Sequence, residues 1–242
     1  MDWFETWFDT PYYHILYKNH DYSEAEAFIT KLTAVLQLPE GARIIDLACG
    51  KGRHSVFLNK LGYDVLGLDL SRNSIEYDEQ FENPKLKFAV HDIRNEIIGE
   101  RADAVFNLFT SFGYFKTEGE DQAVFDSVAG ALKKDGFFVL DYLNQQYVRN
   151  TLTDRQEVQR DGITFHIHKR IEDNYVIKEI NFDDEEGEFH SYFERVKLHT
   201  PEKILKYAER AGFERIRIWG DYQLDDFDED TSPRCINLFR KV

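Results

Sequence analysis

Residues 46–54 read Asp46-Leu47-Ala48-Cys49-Gly50-Lys51-Gly52-Arg53-His54. The run just before them, residues 43–48, is short and mostly apolar, the pattern of a buried strand. Residues 53–61 read as a helix, and Gly62 stands where a C-terminal glycine cap is expected. Glycines at such a strand-to-helix turn let the backbone bend sharply and approach a ligand closely. Many nucleotide-binding folds share a loop of this kind, so its neighbours decide its meaning. A second strand over residues 63–69 ends in Asp69, and a third, alternating Leu86, Phe88 and Val90, ends near Asp92. Asp46, Asp69 and Asp92 are equally spaced, one at the carboxyl end of each of three successive strands.

Working outward, strands and helices keep alternating. Ser23 with Glu26 forms a capping-box signal before a helix whose apolar face is Phe28, Leu32, Val35 and Leu36. Pro39, Glu40 and Gly41 break it. Ser71 caps the helix after the second strand. Residues 104–108 are a fourth strand, residues 122–134 a helix that Gly136 stops, and residues 137–141 a fifth strand. Alternation of this type predicts a parallel sheet with helices on both faces and a ligand beyond the carboxyl ends of its strands. After residue 150 the pattern changes. Between residues 157 and 197, β-rich runs are separated by Asp161-Gly162, Asp173-Asn174 and residues 183–187, which are hairpin signals for three or four antiparallel strands. Thr200-Pro201 then opens a helix with apolar Ile204, Leu205, Ala208 and Ala211, stopped by Gly212. Residues 213–219 and 236–240 close the chain as two more strands.

The ligand follows from charge. A dinucleotide brings an anionic pyrophosphate to the helix N-terminus, where an aspartate at the loop mouth would repel it. The dinucleotide fingerprint also needs a third glycine, and position 55 is Ser. A nucleoside without phosphate, carrying an ammonium, a sulfonium, ribose hydroxyls and an adenine amine, offers each aspartate a cation or a donor. S-adenosylmethionine is such a molecule.

The stretches IIDLACGKGRH, VLGLDLS, FAVHDI, AVFNLFTSFGYF, GFFVLDYLN and TPEKILKYAERAGF together resemble the class I S-adenosylmethionine-dependent methyltransferases, over about residues 40–145 and 200–242. The resemblance implies an α/β, Rossmann-like seven-stranded sheet of order 3-2-1-4-5-7-6 with strand seven antiparallel, here carrying an inserted antiparallel β-sheet. It implies roles by position. Asp46 orients the methionine amino group. The backbone of Ala48, Cys49 and Gly50 lines the methionine and ribose. Asp69 takes the ribose hydroxyls, with Leu70 beside the adenine. Asp92 and the Ile93 backbone meet the adenine edge, and Asn107 and Leu108 face the methionine side. Relatives often place an N-terminal tyrosine against the methionine end, which makes Tyr13 and Tyr17 candidates. The family has a further glycine where this chain has Ala48.

Each assignment has a plainer rival. A single aspartate at a strand end is often a turn or cap residue; three in register with the loop argue otherwise. Cys49 reads as a small packing residue, and nothing near it in sequence supplies a metal partner. Arg53 is a candidate for the cofactor carboxylate, with surface pairing as the alternative; His54 reads as structural. His166 and His168 read as one polar sheet face, so no metal is expected. The aromatic run Trp3, Phe4, Trp7, Phe8, Tyr12, Tyr13 and Tyr17 reads either as a helix packed on the domain or, with the rest of residues 1–38, as a helical lid. Tyr114, Asp141, Tyr142 and Asn144 follow strands four and five, where a substrate would approach; no general base is chosen among them.

Totals bound the rest. The 242 residues suit a single domain with an insertion at 155–198. The insertion's open edge suits a roof over the pocket or a homodimer face. A net charge of −15, from 45 acidic against 30 basic residues, disfavours a nucleic-acid substrate and favours a small neutral or cationic one. Two cysteines make no secreted disulfide scaffold, and neither a signal peptide nor a membrane span is legible, so a cytoplasmic location is expected. The expected activity is methyl transfer to an O, N or C nucleophile of a small molecule. A methyltransferase of protein or tRNA, and a non-catalytic cofactor-binding protein of the same fold, are the alternatives.

Overall fold

The computed structural model describes residues 2–18 and 22–242, without the side chains of residues 22 and 23. Three helices come first, α1 (Trp3–Trp7), α2 (Pro11–Leu16) and α3 (Tyr22–Leu36). The capping box expected at Ser23 lies outside the described side chains, and the helix already runs from Tyr22. The alternating body follows: β1 (Arg43–Leu47), α4 (Arg53–Lys60), β2 (Asp64–Asp69), α5 (Arg72–Asp78), β3 (Leu86–Val90), β4 (Ala102–Asn107), α6 (Glu118–Ala131) and β5 (Leu132–Leu143). A short helix α7 (Gln145–Thr151) leads into β6 (Arg155–Arg160), β7 (Ile163–Glu172), β8 (Tyr175–Asp183) and β9 (Phe189–Lys197). The chain ends with α8 (Pro201–Arg210), β10 (Phe213–Trp219) and β11 (Arg234–Lys241).

The main sheet runs β3-β2-β1-β4-β5-β11-β10. All neighbours are parallel except β11, which is antiparallel to both β5 and β10. With the insertion set aside, this is the expected 3-2-1-4-5-7-6 order. Side chains alternate across the sheet. Ile44, Val65, Ala104 and Val139 face a core closed by Phe28, Leu32 and Leu58 of α3 and α4. Ile45, Val105, Phe138 and Leu140 face Phe125, Val128, Ile204 and Tyr207 of α6 and α8. The chain leaves β1 toward β2 on one side and returns to β4 on the other, so the carboxyl end of β1 is the switch point where a cleft must open.

Two boundaries differ from expectation. Helix α6 starts at Glu118, because Thr117 and Glu120 cap it reciprocally, and it ends at Ala131 rather than near Lys134. Gly136 is therefore no helix stop. It sits in a bulge where β5 slips against β4; a Cβ there would lie 3.0 Å from the Lys133 carbonyl and 3.1 Å from that of Asp103.

The insertion is a four-stranded antiparallel sheet, β6-β7-β8-β9. Both expected tight turns have two consecutive positive φ angles, 46° and 82° at Asp161-Gly162 and 48° and 64° at Asp173-Asn174, the geometry of primed hairpin turns. One face of this sheet buries Phe165, Ile167, Ile180 and Phe182 against Trp7 and Leu16. The aromatic N-terminus thus packs on the inserted sheet. Among the described residues no helix is long and apolar enough to cross a membrane.

Candidate active site

A cavity of about 460 Å³ opens beyond β1, within the range of small-ligand sites. One wall is the loop between β1 and α4. Ala48, Gly50 and Gly52 all have left-handed backbones, at φ 64°, 56° and 61°. A side chain at Gly52 would strike the Phe88 ring at 2.9 Å, so glycine is required there by space as well as by φ. Ala48 accepts the strained conformation at a cost of roughly 1–2 kcal/mol. A glycine at this position would carry no such cost.

The structure brings Asp46, Asp69 and Asp92 to this one wall, together with Ala48, Cys49, Gly50, Leu70 and Ile93. Asp69 braces the loop: its Oδ2 accepts from the Gly50 amide at 2.8 Å and its Oδ1 from the Ser71 amide at 2.8 Å. The loop amide that would meet a pyrophosphate is thus already committed to a carboxylate. Asp46 is buried and accepts from Ser55 Oγ at 2.6 Å. Burial pushes its carboxyl up to about 6 against that hydrogen bond, and the Asp69 charge adds to the rise. Burial also raises Asp69, opposed by the Ser71 and Gly50 amides. Such a wall favours a cation and a hydroxyl-rich nucleoside, and the residues present fit S-adenosylmethionine.

Asp92 differs. Burial raises its carboxyl, but Arg94 outweighs burial and holds it below the ordinary aspartate value. Oδ1 accepts from the Arg94 amide and Nε at 3.0 Å each, and Oδ2 from Nε at 3.1 Å and a terminal nitrogen at 2.6 Å. With these four contacts made, an adenine amine would compete with Arg94 for the carboxylate, whereas the neighbouring Ile93 backbone carries no such competition from the guanidinium.

The opposite wall comes from the N-terminus. Phe4, Phe8, Tyr13, His14, Tyr17 and Lys18 line the cavity, facing Leu108, Phe109 and Tyr114. No residue of the insertion lines it; the inserted sheet acts by carrying α1 and α2. Trp7 Nε1 and the Tyr17 hydroxyl both donate to Glu194 Oε1, at 2.8 and 2.6 Å. Asp9 fastens the other side, accepting from the Ser71 hydroxyl at 2.5 Å and from Asn73 Nδ2 at 2.9 Å. Arg53 and His54 are also on the wall, and the His54 ring stacks on Phe109 at 5.0 Å. The sequence reading missed Phe109, whose wall position depends on a turn that no local signal announces.

Four expected site residues are elsewhere. Asn107 is buried and donates to the Leu47 carbonyl at 2.8 Å, tying β4 to the end of β1. Asp141 is buried in an ion pair with Arg234. The Tyr142 hydroxyl donates to the Lys197 carbonyl at 2.5 Å. Asn144 caps α7 and donates to the carbonyls of Glu229 and Ser232. None of the four lines the cavity: Asn107 is engaged by β1, and Asp141, Tyr142 and Asn144 by Arg234, Lys197 and the loop before β11.

A seven-stranded sheet with an antiparallel β11, and a cleft at its switch point that Asp46, Asp69 and Asp92 line, are the fold and site of a class I methyltransferase. A family profile described as a methyltransferase domain matches residues 38–212. The protein YqeM of Bacillus subtilis, which carries a methyltransferase name, is 28% identical over 215 residues, covering 85% of each chain. A dTDP-3-amino-3,4,6-trideoxy-alpha-D-glucopyranose N,N-dimethyltransferase of Streptomyces venezuelae is 30% identical over 124 residues, 51% of this chain and 52% of that one. The CcbJ methyltransferase of Streptomyces caelestis superposes with a TM-score of 0.81 at 17% identity, covering 98% and 99% of the two chains. The chain belongs to this methyltransferase family, and its cofactor is S-adenosylmethionine.

The raised Asp46 carboxyl gives a pH dependence. Well below pH 3.8, folded and unfolded chains both carry the proton and the residue costs no stability. As pH rises from 3.8 to about 6 the unfolded chain releases the proton while the folded chain keeps it, so this group's penalty on folding grows; above about 6 both are ionised and the penalty is full and constant. Were Asp46 to meet the cofactor's α-ammonium, binding would have the opposite sign, because only the ionised carboxylate attracts a cation. Affinity for S-adenosylhomocysteine is expected to rise from pH 5 to about pH 7, and Asp46→Asn should flatten the rise. Titration calorimetry across that range is the check; an equally steep rise in the variant would remove Asp46 as its source.

Proposed function

We propose that the protein transfers the methyl group of S-adenosylmethionine to an amine nitrogen of a small molecule by in-line displacement. The observation that carries this reading is the acidic wall at the switch point, where three carboxylates surround a glycine loop whose Gly50 amide is already donated to Asp69. The cofactor supplies a methyl already activated by its sulfonium. The chain binds, aligns and dries the site. In this reading Asp69 takes the ribose hydroxyls, Asp46 the ammonium side, and Leu70 and Ile93 the adenine, while Arg53 holds the carboxylate. Phe8, Tyr13, Tyr17 and Tyr114 cover the methyl end and exclude water.

Two facts favour an amine acceptor. The Streptomyces venezuelae relative is named for methylating an amino sugar at nitrogen. The chain is also strongly acidic, and Glu5 and Asp9 join Asp46, Asp69 and Asp92 on a cavity wall that also carries Lys18, Lys51 and Arg53. An amine drawn in as its ammonium gives its proton to solvent or a wall carboxylate before the nitrogen lone pair attacks the methyl and the thioether leaves. Labelled S-adenosylmethionine offered to a panel of amino sugars and amino acids, beside alcohols matched in shape, tests it. Turnover is expected on amines, at least roughly tenfold faster than on the matched alcohols. Turnover confined to the alcohols would overturn the nitrogen assignment. S-adenosylhomocysteine binding without turnover on any member would favour the non-catalytic reading.

A further inference from the structure

We propose that Asp141 and Arg234 are positioning residues: together they clamp a strained turn after β4, and through it the part of the cavity that takes the amino-acid end of the cofactor. The inference rests on the cofactor placement proposed above and adds residues outside the cavity wall to it.

The turn is Phe109-Thr110. Both residues have left-handed backbones, at φ 57° and 61°, and neither is glycine. Such backbone persists only where the surroundings over-determine it, and it concentrates at functional sites. Here the surroundings are specific. Asp141 Oδ2 accepts from the Phe109 amide at 2.8 Å, and the Asp141 carbonyl accepts from the Thr110 amide at 3.1 Å. Arg234 donates from Nε to Asp141 Oδ1 and from a terminal nitrogen to Thr110 Oγ1, both at 2.8 Å. The Tyr222 hydroxyl adds a third hold on Asp141, donating to Oδ2 at 3.2 Å. The Asp141 carboxylate therefore holds the Phe109 amide, the Asp141 main-chain carbonyl holds the Thr110 amide, and the Arg234 guanidinium holds the threonine hydroxyl.

What the turn delivers is on the cavity wall. The Phe109 ring stacks on His54 at 5.0 Å and 15°, and the Arg53 guanidinium lies 5.1 Å from its centre. Leu108 and Ser111 flank it on the wall, and the Tyr114 hydroxyl donates to the Thr110 carbonyl. Asp141, Arg234 and Thr110 are not on the wall, and their hydrogen bonds reach it through the turn. Asp69, Leu70 and Ile93, the nucleoside side, touch none of this clamp's hydrogen bonds.

Two ligands separate the clamp from general damage. S-adenosylhomocysteine carries the amino-acid end; methylthioadenosine is a nucleoside thioether without it. In Asp141→Asn, S-adenosylhomocysteine is expected to bind roughly tenfold or more weakly, while methylthioadenosine stays within about twofold. Arg234→Lys, which keeps the charge but loses the fork to Thr110, should show the same selectivity in smaller size, and it serves if the first variant folds poorly. Equal weakening of both ligands, or no weakening of either, would overturn the clamp. If the unmodified protein itself bound the two ligands equally, the cofactor placement would fail instead.

Discussion

Asp69→Ala is expected to abolish most cofactor affinity, by about 2–3 kcal/mol, or roughly 30- to 150-fold in Kd. Two losses combine. The variant removes the carboxylate proposed to take both ribose hydroxyls. It also leaves the Gly50 and Ser71 amides without their acceptor, so the left-handed loop loses the brace that shapes it. Asp69→Asn separates the two. One amide oxygen can still accept from one backbone amide, but the charge and the second acceptor are gone, so an intermediate loss is expected. Titration calorimetry with S-adenosylhomocysteine measures both variants. Binding within a factor of two of the unmodified protein in Asp69→Ala would remove the ribose assignment and the loop-bracing account with it.

The largest expected effect on stability lies away from the cavity, where the insertion rejoins the main domain. Lys197, at the end of β9, donates from Nζ to the fully buried Asp121 of α6 and to the Thr117 carbonyl at 3.1 Å. Its own amide donates to the Gly113 carbonyl at 2.8 Å, and its carbonyl accepts from Tyr142. His199 Nε2 stands 3.4 Å from the same Asp121 oxygen. Lys197→Met keeps the length and removes the charge, leaving a buried carboxylate without its lysine. A cost of about 3–5 kcal/mol is expected, the scale for breaking a buried pair from one side. Lys197→Met with Asp121→Leu should recover most of it, because the isolated charge is then gone as well. Urea denaturation of the single and double variants decides the matter: a double variant no more stable than the single one would show that the pair matters for shape rather than for charge. Such a pair, next to the point where β9 leaves the insertion, fixes the inserted sheet to α6 and so sets where α1 and α2 lie over the cleft.

The contrast between Asp69 and Asp141 shows what was legible in advance. Both are aspartates at or near the carboxyl end of a strand. Asp69 was readable because everything that defines it is local: a strand before it, the Ser71 cap after it, and a glycine loop one βα unit earlier. The place of Asp141 at the end of the expected fifth strand points instead to a substrate-lining role, and the structure puts it off the cavity wall. Its partners are Arg234 and Tyr222, far along the chain, brought to it by the antiparallel pairing of β11 with β5. Tyr142 and Asn144 went the same way, claimed by Lys197 and by the loop before β11. Asp92 was found in its expected place, but Arg94, two residues on, holds a carboxylate that the spacing alone presented as open.

By itself, then, the chain's order of residues determined the alternating strands and helices, the parallel half of the sheet, the hairpin turns and the acidic wall of the cleft. Those features depend on side-chain periodicity, caps and left-handed turns, which act over a few residues and leave their mark in a few residues. Only the tertiary structure decided which polar groups face the cavity and which are spent elsewhere, and that the inserted sheet reaches the site through the N-terminal helices it carries. Each of those outcomes is a contest for a limited number of hydrogen-bond partners between groups remote in sequence, and folding alone brings the competitors together.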